Sequence, residues 1–361
     1  MSTIMMTQTF DRTKAEAFAG RMIDILNNGA LAVMISIGHR TELFDTMAEL
    51  PPSTSQEIAL AAGLNERYVR EWLGAMVTGR FVDYNSTDKT YSLPPEYAAF
   101  LTRNATANNI ATTAQFVPLL GSVEEQIIDC FYKGGGVPYS EYKRFHAVMA
   151  EDSGQSTVSV LLDGILPLIP QITKALQQGI DVLDVGCGSG KALNKMAAAF
   201  PNSRFTGYDF SGEAIANANA ESQLRQLSNI QFEIKDAATF DECDRYHLIT
   251  TFDAIHDQAK PDVVLQNIYK SLRSDGVYLM QDIRATTDVG GNLEHPIGPW
   301  LYTISCMHCM TVSLACGGMG LGAMWGQETA LQMLSEAGFS SVEVKEIPGD
   351  FLNYYYIVKK S

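Results

Sequence analysis

Val182-Leu183-Asp184-Val185-Gly186-Cys187-Gly188-Ser189-Gly190 is the stretch on which the reading of this chain turns. A β-rich run closes on Asp184, three glycines follow at alternate positions, and helical spacing resumes at Lys191. Glycine allows a tight turn and lets a ligand approach the backbone closely. In an open α/β sheet such ligands gather at the carboxyl ends of the strands, by the first strand-to-helix turn. A dinucleotide loop requires a further glycine three residues after Gly188. Lys191 stands there, so the spacing speaks against a nicotinamide-dependent oxidoreductase. The next β-run ends in Tyr208-Asp209, where a carboxylate suits a ribose diol.

Downstream of Pro170, short β-rich runs alternate with helical ones. Strands are expected at 180–184, 204–209, 230–235, 246–251, 276–283, 341–346 and 352–358. Helices are expected at 191–200, 212–224, 262–272 and 329–337. Strands separated by helices imply a mostly parallel sheet covered on both faces. The last two strands are joined only by 347–351, too few residues for a parallel crossover, so that pair is antiparallel. The fold class is therefore α/β, a Rossmann-like seven-stranded sheet with its last strand antiparallel. The stretch 284–327 is longer than a simple connection. It carries His295-Pro296, Tyr302, Cys306-Met307-His308-Cys309-Met310 and Trp325, and reads as a cap over an acceptor pocket.

Upstream, Phe18, Met22, Ile25, Leu26 and then Leu31, Val33 and Met34 predict two helices parted near Asn27-Asn28-Gly29. Ser53-Thr54-Ser55-Gln56-Glu57 is a capping region before a helix. Gly63-Leu64-Asn65 turns the chain into a second helix with Val69, Trp72, Leu73 and Met76 on one face, and a hairpin follows. Helix, turn, helix, hairpin is the plan of a winged helix. The expected organisation is a mainly helical winged-helix domain at 1–110, a helical linker at 111–150 that contributes to the cofactor site, and the α/β domain at 151–361.

The stretch 182–190 closely resembles the first motif of class I S-adenosylmethionine-dependent methyltransferases, and the resemblance extends over roughly 152–361. It implies S-adenosylmethionine as cofactor, held at Asp184, Gly186, Cys187, Gly188 and Gly190. It implies Asp209, followed by Phe210, at the ribose, and Asp236 with Ala237 at the adenine. Phe252-Asp253-Ala254-Ile255-His256-Asp257 is similar to the catalytic histidine segment of small-molecule O-methyltransferases. That family carries an N-terminal winged-helix domain used for dimerisation, so a homodimer is implied. It also has a phenylalanine and a methionine four apart on a helix lining the cofactor site, which Phe145 and Met149 match. Tyr139, in the loop before them, joins the candidate cofactor residues with Phe252. The family usually has tryptophan after the His-Asp pair, and Gln258 stands here. His256 is the candidate general base, and Asp253 is a second candidate that could contact the acceptor. The acceptor atom stays open between oxygen, nitrogen, sulfur and carbon, with oxygen preferred.

Composition narrows the partners. Of 361 residues, 46% are hydrophobic and 19% charged, enough for proper cores. The net charge of −15 repels nucleic acid and anionic membranes. A winged helix is often a DNA-binding module, which makes a transcription regulator the main non-enzyme alternative. Residues 1–110, however, hold nine Lys/Arg against twelve Asp/Glu. Six cysteines without disulfide spacing read as reduced thiols in a cytoplasmic protein. The first ten residues do not read as a secretory signal, and apolar stretches are broken short of a membrane span. Cys306, His308 and Cys309 lack the paired spacing of a zinc site, so no metal is expected.

Overall fold

The computed structural model describes residues 10–360, so the reading of the extreme N-terminus lies almost wholly outside them. Chain contacts divide the protein into two compact units, Met1–Pro118 and Leu119–Ser361.

The first unit begins with one helix, Arg12–Arg40, where the periodicity predicts two. Asn27-Asn28-Gly29 does not interrupt it, because a mid-helix glycine costs only about 1 kcal/mol. Asp11 caps its N-terminus by accepting from the Lys14 amide, and His39 and Arg40 lie in its last turn. By length and composition this helix is apolar enough to cross a membrane, which the reading of broken apolar stretches did not anticipate. Helices Ser55–Ala62 and Glu66–Thr78 follow, the first with the expected capping box between Thr54 and Glu57. Strands β1 (Asp83–Asn85) and β2 (Thr90–Ser92) form the wing. Phe44, Ile58, Val69, Trp72, Leu73 and Met76 make this unit's core, and the Trp72 indole donates to the Met34 carbonyl at 2.9 Å.

The second unit holds β3 (Asp181–Val185), β4 (Arg204–Asp209), β5 (Ile230–Ile234), β6 (Tyr246–Phe252), β7 (Leu272–Ile283), β8 (Ser341–Lys345) and β9 (Asn353–Lys359). They form one sheet in the order β5-β4-β3-β6-β7-β9-β8. All neighbours are parallel except where β9 meets β7 and β8, so the last strand alone runs antiparallel, as the short 347–351 connection requires. Alternation along each central strand feeds two cores. Leu183, Val185, Ile249, Tyr278 and Met280 point to one face, and Val182, Leu248, Leu279 and Ile357 point to the other. Buried on both sides, these strands read as near-continuous apolar runs. The sheet order reverses at β3, which places the ligand crevice at the carboxyl ends of β3 and β6.

Candidate active site

The glycine loop leaves β3 with positive φ at Gly186 (+73°), Gly188 (+51°) and Gly190 (+66°). Gly186 is doubly constrained, since a Cβ there would stand 2.6 Å from the Ala254 Cβ. Gly190 would place one 2.6 Å from the Phe232 ring. The Gly186 and Cys187 amides both donate to the Tyr208 carbonyl, at 2.8 and 3.0 Å, which ties the loop to the end of β4. Cys187 is half-buried beside Gly207, and its desolvation pushes the thiol up, away from thiolate chemistry.

Asp209, at the end of β4, accepts from the Gly188 amide through Oδ2 (2.9 Å) and from the Ser211 amide through Oδ1 (2.8 Å). Each oxygen keeps a free lone pair, so the carboxylate can still accept from a diol. Burial raises its pKa although both amides oppose the shift. Asp184 is fully enclosed and accepts from the Thr250 hydroxyl at 2.7 Å, and burial pushes it up to about 7. Asp236 is exposed and caps its own turn by accepting from the Ala238 amide, with Ala237 buried behind it. These residues fit a bound nucleoside: a backbone cradle, a ribose-height carboxylate and a third strand end arranged along one crevice.

The structure brings Tyr139, Phe145 and Phe210 together. Tyr139 lies edge-on to Phe210 at 5.1 Å and to Phe145 at 5.6 Å. Phe145 stacks on His308 of the cap at 3.9 Å between ring centres, and Tyr142 stands edge-on to the same imidazole at 4.9 Å. Met149 sits one turn along the helix Phe145–Gln155, half-buried. Burial holds His308 neutral, down to about 3, helped by nearby His256 and His146. The Tyr139 hydroxyl donates to Asp257, whose carboxyl burial lifts to about 6.

His256 is buried just beyond β6, and its Nδ1 pairs with Asp282 Oδ1 at 2.8 Å. Asp282 is itself fully buried near the end of β7. The same oxygen accepts from the Trp325 indole at 2.9 Å. Burial alone would hold the imidazole neutral, but the Asp282 carboxylate outweighs it and the ring's pKa stands well above its ordinary value. The Cys309 thiol also lies against the ring. Asp253 lies within reach of the charges of this pair, with no side-chain hydrogen bond to either member. It points instead to Gln281, whose Nε2 donates to it at 3.1 Å.

The sequence reading missed Asp282, the Tyr139–Asp257 pair and the stacking of His308 on Phe145. One signal for Asp282 was available: a charged residue just after the apolar run Val277-Tyr278-Leu279-Met280 of a central strand is an anomaly that calls for a partner. Cys306, His308 and Cys309 sit on a single wide turn, Ser305–Cys309. Among the described residues no group of three His, Cys, Asp or Glu is placed to hold a metal ion.

Two family models match the chain. Residues 29–103 match an Rv2258c-like winged HTH domain, and residues 176–338 match a methyltransferase domain. A malonyl-[acyl-carrier protein] O-methyltransferase of Bacillus cytotoxicus is 31% identical over 117 residues, 31% of this chain and 39% of that protein. The chain thus aligns with well under half the length of that curated relative. The solved structure of the mitomycin 7-O-methyltransferase MmcR superposes with a TM-score of 0.69 at 17% identity, covering 96% of this chain and 99% of that one. Human N-acetylserotonin methyltransferase, solved in complex with S-adenosylmethionine, gives 0.68 at 15% identity and covers 99% and 100%. At these identities the structural likenesses speak for the fold.

Proposed function

We propose, for a chain that belongs to the class I S-adenosylmethionine-dependent methyltransferases with an N-terminal winged-helix domain, that it transfers a methyl group to the oxygen of a small acceptor by in-line displacement. The observation that carries the choice of oxygen is the buried His256–Asp282 pair. When bound, the cofactor supplies an electrophilic methyl on a sulfonium. A hydroxyl acceptor must shed a proton as it attacks, and a histidine held by a carboxylate suits that task. Asp282 takes Nδ1 and leaves Nε2 as the ring atom that accepts the proton. Trp325 and the Ile283 amide hold Asp282 in turn, at 2.9 and 2.8 Å. Most of the rate then comes from holding acceptor and methyl in line, away from water.

The rings of Tyr139, Phe145 and His308 favour a flat, largely apolar acceptor over a macromolecule. Asp209, Asp236 and the glycine loop support the cofactor assignment, and Tyr139, Phe145, Met149, Phe210 and Phe252 its flanking wall. Arg67 and Arg70, the cations a DNA-reading helix would offer, pair within that helix to Glu71 and Glu66. This pairing favours packing over phosphate binding. Unpaired thiols at all six cysteines suit a reducing compartment, so we assign the protein to the cytoplasm.

The test is a panel of small phenols, alcohols, amines and thiols assayed for S-adenosylhomocysteine release, with His256→Ala beside the wild type. Turnover on a phenol or alcohol that falls about 100-fold or more in His256→Ala is expected. Turnover confined to amines or thiols, or undiminished in the variant, would overturn the oxygen reading.

A further inference from the structure

Residues 134–144 run between the cap and the helix Phe145–Gln155, and both ends of this segment are built to bend. At its start Gly134 (φ +71°) and Gly135 (φ +82°) lie in the left-handed region, exposed, with open space where a Cβ would stand. At its end Arg144 takes the same region (φ +71°) as the residue that opens the helix. A non-glycine residue held there is strained, and such strain gathers at switch segments. Hinges are residues at element ends that absorb large backbone changes.

Between these ends the segment is fastened down by side chains. Gly136 lies so close to the cap helix Met310–Ala315 that a Cβ would stand 1.9 Å from the Thr311 carbonyl oxygen and 2.4 Å from the Ala315 nitrogen. The Val137 amide donates to the Thr311 hydroxyl at 2.8 Å, and both residues are buried. The Tyr142 hydroxyl donates to the Met307 carbonyl on the wide turn Ser305–Cys309, and the Tyr139 hydroxyl to Asp257. A segment held by isolated bonds of this kind opens at a lower free energy than a strand or helix of the core. The cap itself is tied to the backbone around the base. The Ser313 hydroxyl donates to the Gln258 carbonyl at 2.8 Å, the Met319 amide to the Ala259 carbonyl at 3.0 Å, and the Gly322 amide to the His256 carbonyl at 3.1 Å. The cap is therefore the fixed side and the segment the side that moves. Closure also encloses His308, whose Nε2 is buried with no hydrogen-bond partner behind the stacked Phe145 ring. An enclosed polar atom without a partner favours opening.

We propose that residues 136–142 form a hinged strap that must lift off the cap to admit and release ligands, swinging Tyr139 aside and uncovering His308. This rests on the cofactor reading above. Thr311 and Tyr142 are its latch: their hydroxyls hold the strap to the cap and belong to neither the base nor the cofactor wall. Because the latch is the same in the free and the bound chain, it governs how fast ligands exchange rather than how tightly they bind.

Stopped-flow kinetics of S-adenosylhomocysteine on the full chain test this, beside hydrogen exchange of the ligand-free protein. Thr311→Val and Tyr142→Phe each remove one latch hydroxyl and keep the shape of the side chain. In each, association and dissociation are both expected to speed up about tenfold, with Kd within about threefold of wild type. Amides of 136–142 should exchange faster in the variants, while those of β3 and β6 keep their rates. Faster dissociation without faster association would mean that the hydroxyls support the site itself, and would overturn the proposal. Unchanged rates in both variants would overturn it as well, and so would exchange that quickens equally in β3 and β6. A wild-type chain that does not bind S-adenosylhomocysteine would remove the cofactor reading, and the exchange measurement would then decide the strap by itself.

Discussion

At the residue scale, the chemistry depends on how one carboxylate is spent. Asp282 Oδ1 accepts from His256, the Trp325 indole and the Ile283 amide, and these three donors hold it against the imidazole. The same carboxylate that orients His256 also stabilises its charged form. A base works only when neutral, so a raised pKa means that kcat/KM on a hydroxyl acceptor climbs as pH rises through that value. Asp282→Asn removes the stabilising charge and lowers the pKa of the ring. The acid limb of the pH–rate profile should therefore move to lower pH. The plateau should fall about 100-fold or more as the imidazolium formed in the reaction loses its counter-charge. Affinity for S-adenosylhomocysteine should not change. An acid limb that stays in place in this variant would show that Asp282 does not set the state of the base.

At the element scale, the central strands were legible because a parallel strand buried on both faces leaves a run of apolar residues that few other structures need. The expected 204–209 coincides with β4, and the other six strands fall within a few residues of expectation. β7 departs most. It begins at Leu272 rather than 276, pairing Leu272 with Tyr246 before an irregularity in register, and Arg273-Ser274-Asp275 gave no apolar signal for that extension. Helix Arg12–Arg40 was misread for the opposite reason: Asn27-Asn28-Gly29 is a local stop signal that the flanking turns override. Within the site, Asp184, Asp209 and the glycines were visible because their spacing is local. The His256–Asp282 pair spans 26 positions and the Tyr139–Asp257 pair 118, and no periodicity reports on such distances. The loop offers a direct check on its own geometry. Gly188→Ala meets open space and bears only the left-handed penalty of about 1–2 kcal/mol. Gly186→Ala bears that penalty and must also displace Ala254. Urea denaturation should find Gly186→Ala the less stable of the two, and S-adenosylhomocysteine binding should weaken more in it. Equal effects would mean that the Ala254 contact does not constrain the loop.

At the scale of the whole molecule, the unexplained surface is on helix Arg12–Arg40. Phe18, Met22, Ile25 and Leu26 recur at helical spacing and are 59%, 40%, 48% and 68% exposed, and Ile23 beside them is 61% exposed. A continuous apolar stripe of this kind needs a cover. A bilayer and a second copy of the chain are two covers that suit a helix of this length. The net charge of −15 disfavours approach to an anionic bilayer. A second copy would pair like stripes about a two-fold axis, the commonest closed symmetry among soluble oligomers. We propose that the cover is a second copy in the homodimer that the winged-helix resemblance implies, with this helix in its interface. Sedimentation equilibrium should return twice the mass of 39.5 kDa. The double variant Ile23→Glu, Leu26→Glu places two buried, unpaired carboxylates in each half of that interface and should yield monomer. Both residues are exposed within the chain itself, so the far-UV spectrum and melting of the winged-helix unit should persist in the monomer. A wild-type chain that sediments as monomer and floats with anionic vesicles would reverse the assignment and give the stripe to a membrane.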